Sequence, residues 1–563
     1  MSVDLTGRFW KLLAKADEVH RITWRLPFLT YPIRLLSSTV NRVVELTTGQ
    51  GHPNNRAITE FRIGQNPTGK SGGRSTAPLG VLFFTVRGWY AHVGTEAVLA
   101  RGLANFGISS AFFLCGGGLS QCDFKPGSDP YVTTPLCWRC TSFGERVIEA
   151  AGFRSTKLED VIGTSTRSDA EGLVADLSRH ELMRFTYAGL ELGELTMPSV
   201  HHALLRGSVG EDHTSVNVLR GFIASAIVMV EACDALLREL KPETVFMTNG
   251  LFFAEAVMMN RAAAAGVRVI TYERGVRPNT LILAVNRAAI PFDMGSIWKT
   301  SEDIPLTPLE AATLDSMLDE RRAGRVGSQM LWPAMTRPVV NPKALSRTVL
   351  FSNVTWDTAV YNAAGAFETV DAWIRHTVSI FSALPDHELI IRAHPAEVRL
   401  GPNVTREPVS RMLAAVGDDL PSNVRFVGPN DATSSYELID AADRVLVYAS
   451  TVGLEAALAG KTVIVAGDTH YKGRGFTFDP VDPYSYEAAV RSSITAEALD
   501  PAKRESARRY AYAFFFRFNI DFPWLSDASR DSRSIDLQGI EISDHMKALC
   551  ELIVGRELSL PRA

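Results

Sequence analysis

Two separated blocks of this chain repeat one rhythm: a short apolar run, a polar or glycine-rich turn, a helix-period segment, and another apolar run. In the first block GVLFFTV (80–86) leads into AHVGTEAVLARGLANFG (91–107) and ISSAFFLCGGG (108–118). After a helical stretch to about residue 240 the pattern resumes with KPETVFMTNG (241–250), LFFAEAVMMNRAAAAG (251–266) and VRVITYERG (267–275). The second block runs through RTVLFSNV (347–354), HELIIRAHP (387–395), NVRFVGP (423–429), SSYELIDAA (434–442), RVLVYAS (444–450), TVGLEAALAG (451–460) and KTVIVAG (461–467). Apolar runs this short, without polar alternation, are strands buried on both faces; strands that alternate with helices form parallel sheets. The expected fold class is therefore α/β, with two doubly wound Rossmann-like domains facing a cleft and a helical N-terminal extension. The expected division is 1–78 for the extension and a linker, 79–300 and 346–495 for the two domains, 301–345 for a connector, and 496–563 for a C-terminal helical segment. Ligands of such sheets sit beyond the carboxyl ends of the strands, so the rhythm also says where to look for function.

Bulk properties narrow the class. The 563 residues carry a net charge of −4, which gives no support for nucleic-acid binding. No apolar run approaches the ~20 residues of a membrane span, and the charged N-terminus lacks the apolar core of a signal peptide. Six cysteines in so long a chain point to a reducing compartment, with the cytoplasm as the default. Residues 1–50 are basic, with Trp10, Trp24, Phe28 and Tyr31 interleaved. Such a segment suits peripheral contact with an anionic membrane face, or packing on the main body.

GQNPTGKS (64–71) matches the phosphate-binding pattern G-x-x-x-x-G-K-[ST]. That loop works only between a buried strand and a helix, whose free N–H groups meet the phosphates. The next residues are GGRSTAPLG, a breaker-rich linker, so the match is read as chance.

A better anion site lies in the second block. RVLVYAS delivers Ser450 and Thr451 to a helix start, where both hydroxyls can cap and the first-turn N–H groups can face a phosphate. Gly453 would let a ligand approach the backbone, and Glu455 would accept hydrogen bonds from ribose hydroxyls. His394, ending the strand IIRAHP and turned by Pro395, can donate to a phosphate; Arg392 and Glu397 flank it. The loop DTHYKGRGFTFDP brings Lys472 and Arg474 as anion-holding cations beside His470 and Tyr471. Asp357 of SNVTWD stands at the expected cleft edge.

In the first block three residues qualify as a general base: His92 and Glu96 in RGWYAHVGTE, and Glu273 in TYERG. Each equally suits a structural cap. Cys115, Cys122, Cys137 and Cys140 fall within 26 residues, but their spacing is not that of a tight zinc knuckle, and free structural thiols are the simpler reading. His201, His202 and His213 show no ligand spacing. No metal or cofactor is expected.

The segments HP, STVGLEAALAGKTVIVAG and HYKGRGFTFDP, with SNVTWDTA and YERG, resemble the bacterial capsule-polysaccharide biosynthesis glycosyltransferases of the GT-B fold, the group that includes the capsule Kdo transferases. The likeness is strong over about 347–485, moderate over 79–300 and absent from the first 75 residues. It implies metal-independent transfer of a sugar from a nucleotide-sugar donor, bound by the second domain, to a saccharide or lipid-linked acceptor. It also implies that His394, Ser450, Thr451 and Glu455 hold the donor's phosphate and ribose, and the His-Pro and Ser/Thr pairing is similar to that of CMP-sugar transferases. Neighbouring readings are a CDP-polyol phosphotransferase, a sugar-nucleotide 2-epimerase of the same architecture, and a non-enzymatic scaffold. A scaffold has no use for a polar cleft.

Overall fold

The computed structural model describes residues 79–123, 134–324, 336–399, 404–417, 419–494, 498–526, 534–535, 537, 540 and 542–558. The basic N-terminal region, the linker and the GQNPTGKS segment lie outside them.

The first sheet holds β1 (Val81–Phe84), β2 (Ser110–Leu114), β3 (Ser155–Lys157), β4 (Thr244–Thr248), β5 (Arg268–Arg274) and β6 (Thr280–Val285). The second holds β7 (Ser346–Phe351), β8 (His387–Arg392), β9 (Val424–Val427), β10 (Arg444–Val447) and β11 (Thr462–Val465). Their strand orders are β6-β5-β4-β1-β2-β3 and β11-β10-β7-β8-β9, and β12 (Ile520–Asp521) extends the first beyond β6. Strands β1 to β5 are mutually parallel, as are β7 to β11. Each domain is thus doubly wound, and the strand order reverses between β1 and β4 in one sheet and between β7 and β10 in the other.

Alternation along each strand feeds two cores. In β1, Leu82 and Phe84 enter a cluster with α4 (His213–Leu240) and α5 (Phe253–Ala264), while Val81 and Phe83 pack on the opposite side against α1 (Tyr90–Asn105). Helix α2 (Thr134–Ala150) joins that second cluster. Helix α3 (Met197–Leu204) packs with α4. Helix α4 corrects the expectation that no segment is long and apolar enough to cross a membrane; most of its apolar surface is buried in the domain, which accounts for its composition. In the second domain, Val349 and Phe351 face α6 (Pro308–Arg322), α8 (Val452–Leu458) and α9 (Pro501–Tyr512); Leu350 faces α7 (Val370–Ser382).

Two features depart from the reading by rhythm. Thr280–Val285 turns back as an antiparallel strand on β5, because a hairpin has no helix to announce it. The C-terminal segment, read as helical, returns to the first domain: β12 pairs antiparallel with β6, and α10 (Asp544–Val554) packs its Met546 and Ile553 into the core shared with α1.

Candidate functional site

Polar residues collect at both reversal points, where neighbouring crossovers leave on opposite faces and open a crevice. In the first domain the turn after β1 carries Arg87, only 4% exposed. It donates to Asp123 Oδ2 at 2.9 Å and to Glu255 Oε1 of α5, and its guanidinium lies 5.3 and 5.2 Å from the ring centres of Trp89 and Phe252. Burial works against the Arg87 charge, but the two carboxylates hold it on; burial and the nearby Asp123 push Glu255 up to about 7. Asp123 Oδ1 and Glu255 Oε2 are buried without a hydrogen-bond partner among the described residues, which marks this network as something other than a satisfied core.

The three candidate bases surround this network. His92 lies one turn into α1, with Nδ1 3.4 Å from Thr248 Oγ1 and its ring edge-on to Tyr272. Burial, with help from Arg87 and Arg274, lowers it to about 3, so it is neutral near pH 7. Glu96 is 0% exposed; it accepts from Thr85 Oγ1 and, at 3.0 Å, from Tyr272 Oη. Burial raises it to about 8. The cleft-facing position read for Glu96 is therefore corrected: it props Thr85 and Tyr272 from behind. Glu273, at the end of β5, is partly exposed and accepts from Asn249 Nδ2 at 3.2 Å and from the Arg274 N–H at 2.9 Å. Burial raises its pKa too.

The second crevice is built from neutral groups. Asn353, just past β7, spans it with paired 3.2 Å bonds to the Ala449 carbonyl and N–H beyond β10. Next to it, Ser450 Oγ accepts from the Val452 N–H at 3.3 Å, while Thr451 makes no side-chain capping bond. His394 follows β8. Its Nδ1 accepts the Ala396 N–H at 3.1 Å, which places the ring proton on Nε2 and makes that atom a donor. Burial lowers its pKa.

Several expected roles are taken by other contacts. A Cβ on Gly453 would lie 2.2 Å from Tyr471 Oη, so this glycine makes room for a tyrosine that donates to the Ser450 carbonyl, not for a ligand. Glu455 is committed to Arg321 of α6, at 2.7 and 3.2 Å, so ribose would have to displace an ion pair. Lys472 Nζ bonds the Gly467 carbonyl of its own loop, and Arg474 lies against Tyr510 and His470. His470 is itself stacked 4.0 Å from Phe514. Arg392 is spent on the Gly428 and Asp431 carbonyls, and Glu397 on the Val409 N–H.

The two crevices meet through the loop after β7. Trp356, buried and bonded through Nε1 to Thr405 Oγ1 at 2.9 Å, stands edge-on to His202 of α3, which stands edge-on to Phe252 beside Arg87. Backbone joins the domains where the Arg406 N–H meets the Leu205 carbonyl at 2.8 Å. Burial lowers His202 as it does His394; the adjacent Asp357 opposes that lowering in both and adds to the burial that raises Glu273. It thus lies within electrostatic reach of the expected donor ligand on one side and an expected base on the other.

Arg87, Asp123 and Glu255 escaped the sequence reading, and His202 was weighed there only as a metal ligand. Arg87 opens the very loop that drew attention to His92, but nothing in the sequence pairs residue 87 with residue 255. Cys115, Cys122, Cys137 and Cys140 line one cavity of about 30 Å³ next to Arg87. None of the four is in a disulfide; Cys140 Sγ accepts from the Gly88 N–H at 3.0 Å, and burial pushes its thiol up to about 11. Among the described residues no group of His, Cys, Asp or Glu is disposed to hold a metal.

Residues 328–495 match the family model of capsule polysaccharide biosynthesis proteins, a span that contains the whole segment, about 347–485, read as most similar to that group. No curated protein sequence matches the chain. Similar solved structures include two Kdo transferases of Thermosulfurimonas dismutans KpsC. The β-Kdo 2,4 transferase is 16% identical, with 47% of this chain and 79% of that one covered and a TM-score of 0.32. The β-Kdo 2,7 transferase is 17% identical over 49% and 79%, with a TM-score of 0.31. A UDP-GlcNAc 2-epimerase from Neisseria meningitidis is 12% identical over 78% and 97%, with a TM-score of 0.26. Scores this low say nothing about activity; the fold assignment rests on the strand orders above.

Proposed function

We propose that this chain transfers a sugar from a nucleotide-activated donor, by preference CMP-linked, to a saccharide or lipid-linked saccharide acceptor of a surface polysaccharide or glycolipid. The observation that carries the reading is the pair of polar crevices at the two strand-order reversals, one offering His394 Nε2–H beside Ser450 and the other the partly exposed Glu273 carboxylate. The family match over residues 328–495 supports the same reading for the donor half.

In this scheme the second domain receives the leaving group. His394 Nε2–H and the hydroxyls of Ser450 and Thr451 hydrogen-bond the donor phosphate, and their bonds strengthen as the anomeric C–O bond breaks and its electron pair passes to the phosphate. Neutral donors suit this task, because they stabilise growing negative charge without trapping the ground state as strongly as a fixed cation would. The acceptor hydroxyl attacks the anomeric carbon, and its proton passes to Glu273. Burial raises the basicity of that carboxylate toward the working pH. His92, neutral but weakly basic, positions the acceptor through a hydrogen bond, and Glu96 fixes Tyr272 behind it. Residues 79–300 form the acceptor side and 346–495 the donor side. The basic, aromatic residues 1–50 bring the enzyme to the cytoplasmic face of a membrane carrying a lipid-linked acceptor.

The test is release of CMP from CMP-Kdo and CMP-sialic acid, followed by chromatography, with UDP- and GDP-sugars as competitors. CMP release that falls at least tenfold in His394→Ala supports the proposal. Release of UDP or GDP instead overturns the donor assignment. Conversion of a UDP-sugar into its epimer, with no nucleotide released, replaces the transferase with an isomerase.

A further inference from the structure

Beside the crevices, at the seam of the two domains, lies a cavity of about 530 Å³ that none of the expected site residues but Asp357 lines. Its volume is that of a site for a small ligand or a short oligomer. One wall is the loop after β7, with Trp356, Asp357 and Tyr361; the others come from the end of α3 and the following turn, the start of α7, and residues 407–415. Tyr361 bridges the seam by donating to the Glu194 carbonyl at 3.3 Å and stands edge-on to His201. The loop after β7 that forms this wall begins at Ser352, whose Oγ accepts the His394 N–H at 3.1 Å, so the cavity adjoins the crevice where transfer would occur.

The charges facing the space are uneven. Asp357, Glu368, Asp371 and Glu407 oppose Arg375 and Arg411. Arg375 is already held by Asp371 at 3.0 Å, and burial lowers His201 to about 4, so that it adds no positive charge at neutral pH. A ligand bearing carboxylates, phosphates or sulfates would meet net repulsion here. Hydroxyls would find carboxylate acceptors beside an aromatic wall, the combination that serves a sugar's polar rim and its C–H faces.

We infer that this cavity is a subsite for the acceptor chain, and that the sugars it holds are hydroxyl-bearing and free of acidic groups. The inference rests on the transferase reading above and adds the chemical class of its acceptor: a donor sugar, acidic or not, is added to a segment of uncharged or amino sugars lying along the seam.

The experiment uses the full chain and saturation-transfer NMR with calorimetry. The probes are maltohexaose, cellohexaose and mannohexaose as uncharged oligosaccharides, a chitosan tetramer as an amino one, and tetragalacturonate as an anionic one. The expected result is binding of an uncharged or amino probe at least tenfold tighter than tetragalacturonate. Tyr361→Ala should weaken it at least fivefold, and the double variant Glu368→Gln, Glu407→Gln should narrow the discrimination against the anion. CMP-induced thermal stabilisation, measured in parallel, should be unchanged in these variants. Preference for tetragalacturonate, insensitivity to all three substitutions, or no binding of any uncharged or amino probe overturns the inference. If a probe binds as expected but no nucleotide-sugar is turned over, the subsite stands and the transferase reading fails. If a donor is turned over onto an acidic acceptor, the reading stands and the subsite assignment fails.

Discussion

The two domains share the order of their five parallel strands and reverse it at the corresponding place, yet they fill that place with opposite materials. Between β1 and β4 a buried guanidinium faces two carboxylates, with Glu96 pushed up to about 8 and His92 down to about 3. Between β7 and β10 stand Asn353 and Ser450, and after the neighbouring β8 a histidine whose proton position is fixed by a backbone N–H. The first crevice stores charge at a cost in desolvation, as sites that move protons do. The second offers uncharged donors, which suits a group that itself becomes charged. The shared scaffold puts a polar crevice at the same place in each domain, and the residues at the reversal set its chemistry.

The comparison breaks most readily at Arg87. Arg87→Met leaves Asp123 and Glu255 buried without their counter-ion, and should cost about 3–5 kcal/mol of stability in urea denaturation. A loss below about 1 kcal/mol would mean that the carboxylates are neutral and the network is not ionic. Glu273→Gln should lower the transfer rate by about 10²–10⁴-fold while CMP affinity stays at the wild-type value. Equal loss of both would move Glu273 from the acceptor side to the donor side. Asn353→Ala, the counterpart substitution in the neutral crevice, should cost only about 1–3 kcal/mol, because it strands the Ala449 backbone groups but no charge. Finding it as damaging as Arg87→Met would remove the contrast.

The smallest effect is one of pH. Glu96 has a folded pKa above its unfolded value, so its native state holds more protons through the interval between them. Its contribution is full below the unfolded value near 4.5 and is lost as pH rises through about 8. Glu96→Gln keeps the neutral form, so its melting temperature relative to wild type should rise between about pH 4.5 and 8 and level off above. The half-buried histidines act in the other direction: His92, His201 and His470, all lowered, make the protein lose stability as pH falls below about 6.5. A relative melting temperature for Glu96→Gln that is flat with pH would show that Glu96 is ionised in the native state.

How far the sequence can be read depends on what each feature rests on. The α/β rhythm is local, so both sheets and the ends of β5, β7, β8 and β10 that carry Glu273, Asp357, His394 and Ser450 were legible. What depends on tertiary contact was not. β6 is a hairpin strand without a helix, and β12 returns from more than two hundred residues away to pair with it. Gly453 and Glu455 look alike in sequence whether they serve a ligand or a neighbour; the neighbours are Tyr471 and Arg321. The Arg87, Asp123 and Glu255 network joins residues up to 168 apart, and no spacing rule reaches that far.

The most direct test of the division of labour is calorimetric titration of CMP into the wild type, His394→Ala and Glu273→Gln. The account predicts binding to the wild type and to Glu273→Gln with the same affinity, and at least a tenfold loss in His394→Ala. Undiminished CMP binding by His394→Ala would contradict it, because the leaving group would then lie somewhere other than the neutral crevice.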